Sequence, residues 1–257
     1  VVSCDISESG AGWSGVRYGN EGHGIRVNAD TGAGSMDTIS IERTAVRNCE
    51  NAGIYIGGEA GTVDISRSLI QCNRAAGIKC NGLSGVATLR LRLTSSLVLN
   101  HDGASSIGVG YNVVNGNGLE LAHNTFVGNR IGLYVGSCGG EAAIRNNVWY
   151  SSSTSHTHLY AAAGFSPAAL DYNCYHEHGG NIIGWEGSAY ASVSAFSGAR
   201  SWDSHSIGAD PLFENAASDW RLTSASPCKN AGTAAAVWYD CAGALFHALT
   251  PSMGAYQ

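Results

Sequence analysis

The sequence repeats itself with a period of 23 to 28 residues, and this period constrains the fold more than any other feature. Residues 38–46 (TISIERTAV) are answered by residues 62–70 (TVDISRSLI), and each run is followed by a shorter apolar run, at residues 53–56 and 77–80. A period in the range of 20 to 50 residues is typical of solenoids. A small polar position inside the repeat recurs at Thr44, Ser68, Ser96, Asn124, Asn147 and Asn173.

Apolar residues alternate with polar ones around that position. Three residues before it stand Ile41, Ile65, Leu93, Leu121, Ile144 and Leu170. A later run in each repeat carries Ile54, Ile78, Ile107, Leu133, Leu159 and Ile183. A period of two indicates strands with one face toward a common interior. The sequence therefore predicts an all-β solenoid of about seven coils, with three short strands in each coil.

These columns resemble the right-handed parallel β-helix proteins of the pectate-lyase-like superfamily, whose turns carry stacked Asn, Ser or Thr. The resemblance covers nearly the whole chain. It predicts β-helix coils over residues 1–185, with an N-terminal end that continues before Val1, and a C-terminal capping segment of the same domain over residues 186–257. The runs at 205–213 and 253–256 resemble the closing segments of many secreted bacterial β-helix proteins. An extracellular, periplasmic or cell-surface location is therefore expected.

Composition limits the classes of partner. The net charge of −6 and the isoelectric point near 5.8 argue against nucleic acid. No apolar run approaches the roughly 20 residues that cross a bilayer, so no membrane span is expected, and a monomer is predicted. Among eight cysteines, Cys228 and Cys241 are predicted to form a disulfide, as an oxidising location allows. The pairing of four further cysteines stays open: Cys49, Cys72, Cys138 and Cys174.

The third strand of each coil offers an outward column. If Ile54 and Ile56 point inward, the column consists of Arg26, Tyr55, Lys79, Gly108, Tyr134 and Tyr160. In the family that the chain resembles, the sugar chain usually lies across this strand face. Aromatic rings and cations suit a polysaccharide that carries carboxylates, and Gly108 is predicted to leave a shallow gap between Lys79 and Tyr134. The predicted binding residues are Asn81 and five members of this column: Tyr55, Lys79, Gly108, Tyr134 and Tyr160. The alternative is that this face is merely solvated.

The outward column contains no carboxylate. Hydrolysis of a glycosidic bond generally needs two carboxyl groups, whereas elimination from a uronic acid needs a cation, a base and an acid. By resemblance, Lys79 is expected to neutralise the substrate carboxylate or act as base, Arg26 to assist, and Tyr55 or Tyr134 to act as acid. The expected function is that of a lyase- or epimerase-like enzyme on an acidic polysaccharide. The alternative is a non-catalytic glycan-binding or adhesion module that uses the same face.

No cofactor is predicted. Related lyases recruit Ca²⁺ through clustered Asp and Glu, because a hard cation takes several oxygen ligands, and the column lacks such a cluster. Two histidine pairs lie in late loops, at His156 and His158 and at His176 and His178. Their spacing suits zinc or nickel, but histidines in a serine-rich loop are more often solvated.

Other charged columns are interpreted as structural. Glu50, Arg74, Asp102 and Arg130 alternate in sign from coil to coil, and so do Asp64, Arg92 and Glu120. Opposite charges on neighbouring strands contribute a few tenths of a kcal/mol each. His101 shares a column with Asn73 and Asn129, which predicts a stacked polar side chain rather than a base.

Overall fold

A computed structural model of the chain describes residues 4–7, 22–29, 38–58, 60–82, 88–101, 106–113 and 118–257. Its strands form three long sheets, and consecutive strands of the chain fall in different sheets. Neighbouring strands of each long sheet are parallel except at one end. The predicted all-β parallel solenoid with three strands per coil is therefore confirmed.

The first sheet contains the strands that follow the small polar turn position: β1 (Cys4–Ser7), β4 (Thr44–Arg47), β7 (Leu69–Gln71), β10 (Leu97–Leu99), β13 (Thr125–Val127), β16 (Val148–Tyr150), β19 (Cys174–Tyr175) and β22 (Ile207–Gly208). The second contains β2 (Ile25–Ala29), β5 (Ala52–Gly58), β8 (Ala76–Gly82), β11 (Ile107–Val113), β14 (Ile131–Cys138), β17 (Thr157–Ala161), β20 (Ile183–Trp185) and β21 (Ser188–Tyr190). The third contains β3 (Thr38–Glu42), β6 (Ala60–Ser66), β9 (Thr88–Thr94), β12 (Gly118–Ala122), β15 (Ala142–Arg145) and β18 (Ala169–Asp171). A short helix α1 (Val193–Arg200) and a hairpin of β23 (Phe213–Asn215) and β24 (Asp219–Leu222) follow.

The solenoid makes about five turns, so the prediction of seven coils is wrong. The third sheet has six strands, and the path from β3 to β18 returns to that sheet five times. After β20 the chain folds back on itself, because β21 pairs antiparallel to β20. An antiparallel strand cannot continue a solenoid whose coils all run in the same direction.

The interior is filled by the predicted apolar columns, except that Val109 occupies the place expected for Ile107. Ile65, Leu93 and Ile144 are fully buried, and aromatic rings widen the core in the late coils. Trp149 stacks on Phe126 with ring centroids 5.3 Å apart and on Tyr175 at 4.8 Å. Offset stacking contributes about 0.5–1.5 kcal/mol beyond area burial.

The small polar turn position forms a continuous hydrogen-bonded ladder. The backbone N–H of Ser96 donates to Asn124 Oδ1, the N–H of Asn124 to Asn147 Oδ1, and the N–H of Asn147 to Asn173 Oδ1, each at 3.0 Å. Ser206 Oγ accepts from the last member, Asn173. Each side chain thus satisfies a buried backbone donor of the preceding coil, a group that is costly to leave without a partner.

Residues after Pro227 return along the side of the solenoid. Met253 and Ala255 are buried in a second apolar cluster with Leu97, Val127 and Val148, separate from the main core. Helix α1 instead contributes Val193 and Phe196 to the main core. A closing role for residues 186–257 stays a prediction. No helix in the described ranges has the length and apolar character needed to span a membrane.

The predicted Cys228–Cys241 disulfide is not formed. Both residues are free thiols. Cys228 instead lies with Cys174 of β19 in the second apolar cluster, and Cys241 and Tyr256 pack against the same cluster. The spacing of the two cysteines in the sequence does not predict these contacts. They form because the C-terminal segment returns along the solenoid. Cys138 is also a free thiol.

Candidate ligand-binding groove

Strand register shows which side chains share the outward row of the second sheet. Arg26 pairs with Tyr55, and Tyr55 with Lys79. Gly110, not Gly108, pairs with both Lys79 and Tyr134, and Tyr134 pairs with Tyr160. The row therefore runs from Arg26 to Tyr160 as predicted except on β11. Placing Gly108 in the gap was wrong by two residues.

Gly108 belongs to a different column, in which glycine is required by close packing. It aligns with Gly77 and Gly132. A β-carbon on Gly108 would lie 2.5 Å from the Gly132 carbonyl oxygen, and one on Gly132 would lie 2.5 Å from the His158 carbonyl oxygen. The signal in the sequence was the recurring order of glycine, apolar residue, variable residue and apolar residue, which places Val109 and not Ile107 beside Ile78.

A groove of about 530 Å³ lies over Gly110. Because glycine has no side chain, the row is lowered between Lys79 on β8 and Tyr134 on β14. The lining residues come from β8, β11, β14 and the turns that precede β5 and β8: Glu50, Arg74, Ala75, Ala76, Lys79, Asn81, Ile107, Gly110, Asn112 and Tyr134.

On each side of the groove, the outward row continues with side chains that stack on one another. Tyr134 stacks on Tyr160 with ring centroids 5.4 Å apart and an interplanar angle of 5°. Tyr55 stacks on His23 at 4.8 Å, and the Arg26 guanidinium lies 5.5 Å from the centroid of the Tyr55 ring. One face of each tyrosine is therefore engaged within the row, and the lowered position at Gly110 separates the two groups.

The groove carries two cations without ion-pair partners among the described residues. Lys79 and Arg74 are exposed, and neither makes an ion pair with any residue that the structure describes. By contrast, Arg92 lies 3.1 Å from Asp64 and 3.3 Å from Glu120, which confirms that predicted ladder. The predicted ladder of Glu50 with Arg74 is not formed as an ion pair, and Asp102 of that column lies outside the described residues.

The positive charges near Lys79 also affect the pKa of His23. Burial lowers the pKa of His23, and the positive charges of Arg26 and Lys79 lower it further. The imidazole Nδ1 accepts a hydrogen bond from the Ala52 N–H at 3.2 Å, which requires a neutral ring. His23 therefore adds no positive charge, and the positive potential of this part of the row comes from Arg26 and Lys79. That potential favours an anionic ligand.

Amide side chains form a second outward row beside the first. Asn81 pairs with Asn112, which pairs with Ser137 beyond an irregularity in β11. Ser137 Oγ donates to Asn112 Oδ1 at 2.7 Å. Amides and hydroxyls donate and accept hydrogen bonds, so this end of the groove suits the hydroxyls of a ligand.

Three predicted side chains, those of Lys79, Asn81 and Tyr134, line the groove together. Arg26, Tyr55 and Tyr160 lie in the same row but outside it. Sequence reasoning missed Arg74, Glu50 and Asn112 as groove residues. It also missed the carboxylate of Glu50, which approaches the groove from the turn before β5 and not from the strand column.

The late histidines serve mainly in hydrogen bonding. His158 is buried, which lowers its pKa to about 3, and its Nε2 lies 2.9 Å from the His176 carbonyl oxygen. His176 Nδ1 in turn donates to the Ser151 carbonyl oxygen at 2.6 Å. The described part of the chain contains no group of three or more His, Cys, Asp or Glu residues arranged to hold a metal ion.

The fold and the groove define a parallel β-solenoid with a cationic, aromatic-walled depression on one sheet. Comparison with protein families finds no match for this chain, and comparison with curated proteins finds none either.

Proposed function

We propose that this protein binds an acidic polysaccharide in the groove over Gly110 and acts outside the cell, as a lyase- or epimerase-like enzyme. The observation that carries the proposal is the presence of two exposed cations without ion-pair partners in the described structure, Lys79 and Arg74, in a groove walled by Tyr134. Cations recognise carboxylates, and aromatic faces pack against sugar rings. The resemblance to the pectate-lyase-like superfamily supports a polysaccharide ligand and secretion.

The chemistry proposed is β-elimination. A base removes the proton on the carbon next to the uronate carboxylate, the bond from the neighbouring ring carbon to the glycosidic oxygen breaks, a carbon–carbon double bond forms, and an acid protonates the leaving oxygen. In this scheme Lys79 neutralises the carboxylate or removes the proton. Of the two tyrosines expected to act as the acid, Tyr134 lines the groove and takes that role, whereas Tyr55 and Arg26 lie outside the groove.

The alternative is a glycan-binding or adhesion module without catalysis. The same cations and the same tyrosine face support it, because binding needs complementarity to the ground state alone. The two functions differ in one product: elimination creates a conjugated double bond that absorbs ultraviolet light.

Lys79→Ala tests the proposal, with Lys229→Ala as the matched control. The chain has only these two lysines, and Lys229 lies in the C-terminal segment, away from the residues that line the groove. We expect Lys79→Ala to weaken binding of polygalacturonate or polymannuronate about tenfold or more, and Lys229→Ala to change it little. Calorimetry measures the affinity, and ultraviolet absorbance of the mixture reports elimination.

The proposal is overturned if the parent protein binds none of a panel of uronic-acid polysaccharides, or if both lysine variants bind as the parent does. Binding without new absorbance favours the adhesion module over the enzyme. The melting temperature of Lys79→Ala should match that of the parent, because the exposed Lys79 side chain contributes little to stability.

A further inference from the structure

We infer that the acidic ligand lies along β11, parallel to the strands, and not across the coils, with Arg74 binding an anionic group at one end. This inference rests on the proposed function, because it specifies how a uronic-acid chain would occupy the same groove. It assigns binding roles to Arg74 and Asn112 and removes Tyr55 and Tyr160 from the contact surface.

The shape of the groove supports this direction. Its floor follows β11 from Ile107 through Gly110 to Asn112. Lys79 on β8 forms one wall, and Tyr134 on β14 forms the other, since both pair directly with Gly110. A depression with walls on both neighbouring strands runs in the direction of the strand between them.

The length of the groove suits several sugar rings. From Ile107 to Asn112 the strand advances by five residue steps, or about 17 Å at roughly 3.3 Å per residue. The groove is much narrower across the coils: β8 and β14 are both hydrogen-bonded neighbours of β11, so they lie about 9.6 Å apart at roughly 4.8 Å per strand. A chain of rings therefore has more room along β11 than across it.

The groups at the two ends differ in chemistry. Ile107 pairs with Ala76, which follows Arg74 by two residues, so the guanidinium belongs to the end where β11 begins. Asn112 pairs with Asn81 at the other end. Lys79 lies between them. The groove thus offers the Arg74 cation together with the Glu50 carboxylate at one end, the Lys79 cation in the middle and neutral amides at the other end. This arrangement fits an acidic chain whose last ring presents hydroxyls.

A ligand lying across the coils would meet obstacles that the along-strand ligand avoids. It would have to pass over the Tyr134–Tyr160 stack on one side and the Tyr55, His23 and Arg26 group on the other. Those rings already stack on other side chains of the protein, and they belong to the same outward row on either side of the groove.

The experiment compares two sets of variants by calorimetry with a size series of galacturonate and mannuronate oligosaccharides. Arg74→Ala and Asn112→Ala report along-strand binding, and Tyr55→Ala and Tyr160→Ala report binding across the coils. We expect Arg74→Ala to weaken the longer oligosaccharides about tenfold and the monosaccharide less, with a smaller loss for Asn112→Ala. The two tyrosine variants should stay within about twofold of the parent. Melting temperatures identify any variant that is destabilised.

If Tyr55→Ala and Tyr160→Ala weaken binding while Arg74→Ala and Asn112→Ala do not, the ligand lies across the coils and the inference is wrong, although the proposed function stands. If Lys79→Ala also has no effect, the proposed function fails with it. Gly110→Leu gives a second measurement, because a side chain there fills the floor and should abolish binding while Tyr55 and Tyr160 remain in place.

Discussion

Gly108 and Gly110 are separated by one residue and occupy opposite environments. A β-carbon on Gly108 would approach the Gly132 carbonyl oxygen to 2.5 Å and the Asn129 side chain to 3.3 Å. On Gly110 its nearest neighbours would be Ile107 Cγ2 at 3.7 Å and the Ile78 carbonyl oxygen at 3.9 Å, which are ordinary contacts. The first glycine is needed for packing between coils, and the second makes the groove.

Alanine at each position should separate these two roles. Gly108→Ala forces the adjacent coil to shift and should lower the free energy of unfolding by about 1–3 kcal/mol. Gly110→Ala should change it by less than about 0.5 kcal/mol. Urea denaturation of the two variants measures the difference. Equal stability losses would contradict the pairing of Gly110, and not Gly108, with Lys79 and Tyr134.

A second polar ladder runs beside the first and contains a titratable member. Asn73 Oδ1 accepts from the Cys49 N–H, and His101 Nδ1 accepts from the Asn73 N–H, both at 3.0 Å. Asn129 Nδ2 donates to the Val98 carbonyl oxygen. The prediction that His101 is a stacked structural side chain is therefore confirmed. Burial lowers the pKa of His101 from 6.5 to about 4.

This lowered pKa makes the ladder sensitive to acid. Above pH 6.5 His101 is neutral in both folded and unfolded chains, but between pH 6.5 and 4 only the unfolded chain takes up the proton, so stability falls as pH falls. His101→Asn keeps an acceptor, as in Asn73, and removes the titration. Between pH 7 and pH 5 the parent should lose about 2 kcal/mol more than the variant, as measured by denaturation at both values.

Parallel pH profiles for the parent and His101→Asn would contradict this account. Some acid sensitivity should remain in the variant, because burial also lowers the pKa of His123 to about 4 and that of His158 to about 3.

The C-terminal segment covers one flank of the solenoid. His123 Nδ1 lies 3.1 Å from the Ser252 carbonyl oxygen, and its ring packs on Phe246 with centroids 4.1 Å apart. Asn146 Oδ1 accepts from the Thr233 N–H, and Asn146 Nδ2 donates to the Thr233 carbonyl oxygen. Together with the apolar cluster around Met253, these contacts make the segment part of the folded unit.

A chain that ends at Ala225 should therefore be strongly destabilised. It would expose Leu97, Val127 and Val148, and each such side chain contributes about 1.5–3 kcal/mol when buried. The loss is a large share of a typical stability of about 5–15 kcal/mol. We expect a lower melting temperature and increased binding of an apolar dye. Trp238→Ser is the control, because Trp238 is 72% exposed; an unchanged melting temperature in the truncated chain would refute the role of the segment.

The repeat could be read from the sequence because neighbouring coils place equivalent residues side by side. Asn124, Asn147 and Asn173 recur at the same point of each coil, and the structure stacks them into one ladder. The apolar column through Ile65 and Leu93 is likewise periodic and buried. The alternation of apolar and polar residues and the repeat period therefore determined the polar ladder and the buried column. They also determined the sheets and the outward face that carries Lys79.

Only the tertiary structure decided the features that do not repeat. The connection from β10 to β11 is longer than those from β4 to β5, from β7 to β8 and from β13 to β14. The first apolar residue of β11 therefore misled the alignment by two positions and placed Gly108 where Gly110 lies. Arg74 and Glu50 reach the groove from turns, where period two no longer applies. The path of the C-terminal segment depends on contacts such as Ser95 Oγ with the Tyr239 carbonyl oxygen, 144 residues apart. Such contacts leave no periodic trace in the sequence, because each is made once, between segments that meet only after the coils have stacked.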